Sequence, residues 1–487
     1  MKKNNIVELN ASSVGRITGN TDMSPARSAH VRPGTIVSHT VPWPRVSLTG
    51  FLKLAVNAPR IYWDSEKVSL GLAGCGIAAR LTAYGPDRVG TIRRQTASLL
   101  DNVIVSNEAV PTGIGPRLFG GFSFRSDHRA QGFWSAFPGA YFILPRYQLA
   151  RLDDQQWLTI NYPLEPDDDP TSLSRRLNNE ARALLQRFEQ SGRTNGAVQP
   201  NGALPQPAPP VEFKDVMSAD TWMGLVSDAT RRIKHGDLEK VVLARARQMR
   251  SSAPVDAVDV LTRLEHTYPN CYRFLFEPVP GHAFYGATPE LLAEVTGSAL
   301  HTVALAGSIR RGSTPEEDEA LGQKLLATPK ERHEHALVVD AVTENLQTLA
   351  TALDVSPRPG LCRLSNIQHI QTVIQGRLAD DCGILPVVEA LHPTPALGGR
   401  PRQTALDLIQ QLEPISRGWY GAPIGWLDHQ GDGIFAVAIR SALSVGNESL
   451  LYAGAGIVAD SEPEREWRET QLKFRPLVDA LGGASSG

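Results

Sequence analysis

Cysteine is scarce in this chain: Cys75, Cys271, Cys362 and Cys382 are the only four in 487 residues. None forms a CxxC pair, which leaves no disulfide framework or zinc knuckle and points to a reducing compartment. Long apolar runs are also missing; none approaches the ~18 residues a membrane-spanning helix needs. The lysines near the N-terminus precede no apolar segment, so no secretory leader is expected and the reading is a cytoplasmic protein. Neither sign of charge dominates, with 49 basic against 51 acidic residues and a net charge of -2. That balance gives no general pull toward nucleic acid or membrane, although a local anion site remains open. A 41% hydrophobic content is enough for a sizeable core.

The order of patterns is mixed. Residues 1–34 read as a polar segment, and 35–190 as the N-terminal part of an α+β fold. Runs such as "RIYWDS", "RLFGGFSF" and "AYFILPRYQLARL" are strand-like and separated by turn residues. "TSLSRRLNNEARALLQRFEQ" has helical periodicity. Residues 191–211, rich in Gly, Pro, Asn and Gln, read as a linker or loop. From 212 to 485 the patterns are denser. "EKVVLARARQMR" reads as a strand, "CYRFLFEPV" with "HAFYGA" as a hairpin, and "GIFAVAIRSALSV" with "SLLYAGAGIV" as two strands. Residues 315–353 read as one helical region broken near Thr328–Pro329, and 462–481 as a closing helix. Strands and helices in mixed order with hairpins argue for α+β over a doubly wound parallel sheet.

"ERHEHALVVDAV", from Glu331 to Val342, invites a metal reading. HExxH would need histidine where Leu337 stands, and HxxEH would need it at Glu331, so neither zinc signature is met. Successive helical residues differ by ~100°, so His333, Glu334 and His335 cannot converge on one ion. Glu331 and Glu334 do share a face. Glu466 and Glu469 repeat that spacing in the last helix, with Lys473 four residues on. A lone ExxE is usually a solvated stripe; two facing pairs offer oxygen-only ligation, which suits Mg²⁺ or Ca²⁺ better than Zn²⁺.

Eight motifs then occur in order: "KVVLAR" (240–245), "FYGATPELL" (284–292), "ALAGSIRRG" (304–312), "KERHEHALVV" (330–339), "LHPTPALGGRPR" (391–402), "GWYGAPIGW" (418–426), "FAVAIRSAL" (435–443) and "AGAGIVADSEPEREWRET" (453–470). Together they resemble the chorismate-utilising enzymes, and among these most closely the isochorismate synthases. The resemblance is dense over 215–485 and looser before. It implies two packed antiparallel β-sheets with outer helices, the anthranilate synthase component I or chorismate-binding fold, with the N-terminal half woven in. It also implies chorismate as substrate and addition of water at C2 with loss of the C4 hydroxyl.

By the same resemblance Lys240 is the base and Glu290 the acid. Glu334 and Glu469 hold Mg²⁺, and Glu331 and Glu466 hold metal-bound waters. Arg440 and Tyr420 take the enolpyruvyl carboxylate beside Gly454. Gly307 and Ser308 meet the ring carboxylate, His369 and Thr394 line the ring, and Lys473 supports the acids. The roles are chemically coherent: a guanidinium fork matches a carboxylate, the base must lose its proton, and the acid must keep one near neutral pH. Ala306 stands where aminodeoxychorismate synthases carry a nucleophilic lysine, so no glutaminase partner is expected. Ser308 replaces the family's usual threonine and keeps the hydroxyl. Salicylate synthases share these residues and go on to eliminate pyruvate; "ALAGS" in place of "PLAGT" favours isochorismate as product. A binding-only relative and a zinc hydrolase are the remaining rivals. A monomer or homodimer is expected, and the product of such an enzyme opens routes to menaquinone, salicylate and catechol siderophores.

Overall fold

The computed structural model describes residues 7–8, 34–68, 70–106, 111, 113–165, 168–194, 209–380 and 382–483. Most of the polar N-terminal segment, and residues 195–208 of the expected linker, lie outside that set. Among the described residues the strands form two large sheets, one of 11 and one of 13 strands, in which nearly every pairing is antiparallel. Strand Arg60–Asp64 pairs with Tyr272–Val279, and Leu118–Phe122 pairs with Pro423–Leu427. Both sheets therefore contain strands from both halves of the chain.

A double layer follows from the strand sequences. In Tyr272–Val279 every residue but the last is buried, so both faces of that strand are covered, one by the other sheet and one by helices. Between the sheets lies an aromatic layer; the Phe276 ring stacks on Trp419 with centroids 5.2 Å apart, and Phe137 meets Trp419 edge-on at 5.3 Å. Helices Ala219–Lys234, Ala257–Thr267, Pro329–Leu346 and Pro463–Ala480 bury one side each. Ser218 caps helix Ala219–Lys234, its side chain accepting from the Thr221 N–H.

Two sequence readings change. "ATALDV" was grouped with the preceding helix by its alanines and leucines, but Ala350–Val355 is a strand paired to Ile367–Leu378. Tertiary pairing overrides its helical propensity there. The break expected near Thr328–Pro329 is present, with helices Pro315–Ala327 and Pro329–Leu346 meeting at Thr328. "GIFAVAIRSALSV" is two strands in different sheets, Gly433–Val437 and Ser441–Val445. The chain crosses between sheets at Ala438–Arg440, where Arg440 takes a left-handed φ of 49°. A second crossing lies at Glu290, between His282–Thr288 in one sheet and Leu291–Thr296 in the other.

Candidate active site

The two crossings are tied to each other. The Ala287 N–H donates to the Arg440 carbonyl at 3.2 Å, and the Val437 N–H donates to the Glu290 carbonyl at 3.0 Å. A Cβ on Gly286 would stand 2.6 Å from that same Arg440 carbonyl, so glycine is needed for the approach. One cavity opens at this junction. Lys240, Glu290, Gly307, Ser308, Glu331, Glu334, His369, Tyr420, Arg440, Gly454, Glu466, Glu469 and Lys473 all line it. Those side chains come from both sheets and from two helices, so only the fold brings them together.

Strand Lys240–Ser251 begins at Lys240 and pairs with Glu448–Ile457, placing Ala244 opposite Gly454. Lys240 is buried, and its Nζ donates to Glu334 Oε1 at 2.8 Å. On the facing sheet, strand Ala299–Arg310 slips register between Ala306 and Ser308. Gly307 forms that bulge with φ 75°, a conformation glycine adopts without strain. The bulge turns Ser308 Oγ to His369 Nδ1 at 3.0 Å. His369 Nδ1 also lies 3.2 Å from the Gly307 carbonyl, while its buried Nε2 has no partner. Burial holds His369 down at about 3, so the ring is neutral.

The acids are in distinct electrostatic states. Burial pushes Glu290 up to about 7, against the pull of Lys240, Lys473 and Arg440. Burial and neighbouring Glu334 raise Glu331, whose Oε1 accepts from Arg465 at 2.8 Å. Burial and Glu469 push Glu466 up to about 7. Burial alone would raise Glu469 too, but Lys473 at 2.6 Å holds it below the usual range. Lys473 Nζ also donates to the Gly454 carbonyl at 2.9 Å.

Arg440 is the exception among these charges. It is buried, and its guanidinium has no hydrogen bond or ion pair with any described residue. Tyr420 lies beside it, stacked on Tyr452 with centroids 5.1 Å apart. Its hydroxyl would be 3.2 Å from a Cβ at Gly454, so that glycine leaves room between tyrosine and strand.

Thr394 is placed differently from expectation. Its hydroxyl is buried without a partner, but it is not on the cavity wall; Ala396 and Leu397 of the same segment are. The Thr394 carbonyl accepts from the Leu397 and Gly398 N–H groups, and this turn swings the later residues inward. The two histidines that suggested a metal also stay outside. His335 is a core residue bonded to Thr372 Oγ1 at 2.7 Å and held down at about 4 by burial. His333 is exposed and lines a separate outer cavity. Sequence reasoning passed over Lys330 and Gly456. Lys330 lines the cavity 3.4 Å from Glu466 Oε1. The signal for it was its place beside Glu331 in "KERHEH".

Among the described residues no group of three or more His, Cys, Asp or Glu side chains stands close enough to hold an ion as placed. Each of the four helix glutamates instead faces a cation of the chain: Lys240, Arg465, Lys330 or Lys473. The donor set still fits a hard cation, with oxygen ligands on two facing helices. Gly456 also leaves a space, since a Cβ there would lie 2.6 Å from Glu334 Oε1 and 3.1 Å from Lys240 Cε. Gly456→Ala is therefore expected to displace Glu334 and, if Glu334 is a ligand of a hard cation such as Mg²⁺, to weaken that binding about tenfold or more, as read by calorimetric titration. Unchanged affinity would remove Glu334 from the ligand set.

Fold and site define an α+β protein with a buried cavity for a small anion, lined by carboxylates that a hard cation suits. The family model described as "Chorismate binding enzyme" matches residues 23–482. The chain is 38% identical over 435 residues to the salicylate biosynthesis isochorismate synthase of Pseudomonas aeruginosa, covering 88% of this chain and 86% of that one. It is 36% identical over 430 residues to the isochorismate synthase MenF of Bacillus subtilis, covering 87% and 88%. The solved structure of MenF, the menaquinone-specific isochorismate synthase of Escherichia coli, superposes with a TM-score of 0.73 at 28% identity, over 92% of this chain and 94% of that one. Anthranilate synthase component I of Streptococcus pneumoniae shares the fold at a TM-score of 0.63, over 95% of each chain at 19% identity. The chain belongs to the family of chorismate binding enzymes.

Proposed function

We propose that this protein is an isochorismate synthase, converting chorismate to isochorismate with Mg²⁺. The observation that carries the reading is the charge state of the cavity around Arg440. Four cations line it, Lys240, Lys330, Lys473 and Arg440, against five glutamates. With Glu290 protonated and the four helix glutamates ionised the lining is neutral, and among the described residues Arg440 is the one of these cations that lacks a protein partner. A dianion such as chorismate then needs a bidentate carboxylate holder, which Arg440 offers, and a balancing divalent cation. The relatives named isochorismate synthases cover most of the chain and support the same choice.

In this reading Arg440 and Tyr420 hold the enolpyruvyl carboxylate beside Gly454. Gly307 and Ser308 receive the ring carboxylate. Glu334 and Glu469 hold Mg²⁺, with Glu331 and Glu466 behind bound waters. Bound there, the cation supplies charge neutralisation at the ring carboxylate. Lys240 takes a proton from a water whose oxygen bonds to C2. The ring double bonds shift, the C4–O bond breaks, and Glu290 delivers its proton so that the hydroxyl leaves as water. One water enters and one leaves, so the net change is an isomerisation. Lys240 must be neutral to accept a proton, and a cation held by Glu334 would take up the carboxylate that Lys240 now faces.

Incubating the purified protein with chorismate and Mg²⁺ and chromatographing the products tests the reading. Isochorismate is expected as the main product, and chelation should stop its formation. Salicylate with pyruvate would move the assignment to salicylate synthase. Unchanged chorismate would leave only a binding protein.

A further inference from the structure

Among the described residues seven arginines are at least nine-tenths buried. Four have carboxylate partners: Arg60 with Glu277, Arg245 with Asp215, Arg273 with Asp64 and Arg417 with Glu413. Burying an unpaired guanidinium is costly, so the exceptions carry information. Arg117 lies over the Trp426 ring at 4.8 Å and bonds the Gly113 and Gly115 carbonyls. Arg440 faces the catalytic cavity. The last exception, Arg88, faces a different cavity of about 350 Å³.

Arg88 starts helix Arg88–Leu100. Its Nη2 donates to the Ser123 carbonyl at 3.1 Å and its Nη1 to the Gly85 carbonyl at 3.5 Å, while its buried Nε has no partner. Neither contact supplies a counter-charge. A second arginine, Arg402, lines the same cavity with no ion pair or hydrogen bond to a described residue. Arg125 is not available, being engaged by Asp127 and Gln410. Glu389 on the rim attracts Arg88 electrostatically but forms no ion pair with it or with Arg402, and the His392 ring is bonded to the Phe124 carbonyl at 3.1 Å. Apolar residues on the wall include Phe122, Phe124, Val388 and Leu406.

We propose that this cavity is a second anion site, in which Arg88 and Arg402 bind the carboxylate of a small organic acid and the phenylalanines hold its apolar body. It is separate from the catalytic cavity; the segment from His392 to Leu397 stands between them, with His392 and Pro393 on one wall and Ala396 and Leu397 on the other. Two cations match one carboxylate, and an apolar wall favours a ligand with a ring or alkyl body over a fully hydrated ion.

Calorimetric titration of the full chain with benzoate, and separately with inorganic phosphate, tests the site. Benzoate is expected to bind, Arg402→Gln to weaken it about tenfold or more, and Arg440→Gln to leave it unchanged. Arg402 is exposed at the cavity rim, so its variant should keep chorismate turnover and thereby report its own folding; Arg88→Gln should weaken benzoate further if it folds. Benzoate binding lost in Arg440→Gln but kept in Arg402→Gln would place the ligand in the catalytic cavity and overturn the proposal. Phosphate binding that depends on Arg402, with no benzoate binding, would overturn the organic-acid class. Absence of binding by both would overturn the site itself.

Discussion

Lys240→Ala is expected to lower chorismate turnover by about 10²–10⁴-fold, the range a positioned general base contributes. The ammonium sits at the head of a central strand, buried, and 2.8 Å from Glu334. No other lysine is placed to substitute, because Lys473 is held by Glu469 and the Gly454 carbonyl, and Lys330 lies next to Glu466. The loss should fall on kcat more than on KM, since Arg440, the proposed holder of the substrate carboxylate, is unchanged. Mg²⁺ affinity should be kept or improved, because Glu334 loses a competing cation. Chromatography of isochorismate together with Mg²⁺ calorimetry separates these effects. Full turnover in the variant would remove Lys240 from the mechanism, and loss of both turnover and Mg²⁺ binding would make it a structural residue.

Glu290→Gln should cost a similar factor and also change two pH dependences. In the wild type the acid must be protonated, and burial pushes it up to about 7. The kcat/KM of the wild type should therefore fall tenfold per unit above about pH 7. The residual activity of Glu290→Gln should lack that descending limb. Stability has the same sign: Glu290 ionises near ~4.3 unfolded and near 7 folded. The folded state thus binds the extra proton between those values, and stability from this group is lost as pH rises through about 7. At pH 8 the glutamine variant should be more stable by up to about 3 kcal/mol. Denaturant titrations of both proteins at pH 5 and pH 8 measure this; an equal difference at the two pH values would count against a raised Glu290.

Much of the site could be read from the sequence because it depends on local spacing. Glu331 with Glu334, and Glu466 with Glu469, share helix faces wherever those helices are placed. The failure of HExxH and HxxEH is equally local, and His335 and His333 turned out to lie outside the catalytic cavity. Arg440 stands amid the apolar "AVAIRSA", a context in which a cation needs a buried partner or ligand. Thr394 was harder, because the carbonyl-centred turn at 394–398 that brings Ala396 and Leu397 to the wall has no side-chain signature.

By itself the sequence determined the elements with clean periodicity, the paired carboxylate faces and the ordered motifs, since each depends on residues near one another in the chain. Only the tertiary structure decided that "GIFAVAIRSALSV" splits at Arg440 and that Glu290 sits at the matching crossing. A continuous apolar run does not say which sheet each half joins; that is set by backbone pairing with strands far away in sequence. The same is true of charge. Which carboxyls are pushed up, which are held down, and which arginines are left without a partner are consequences of burial and of neighbours contributed by both halves of the chain.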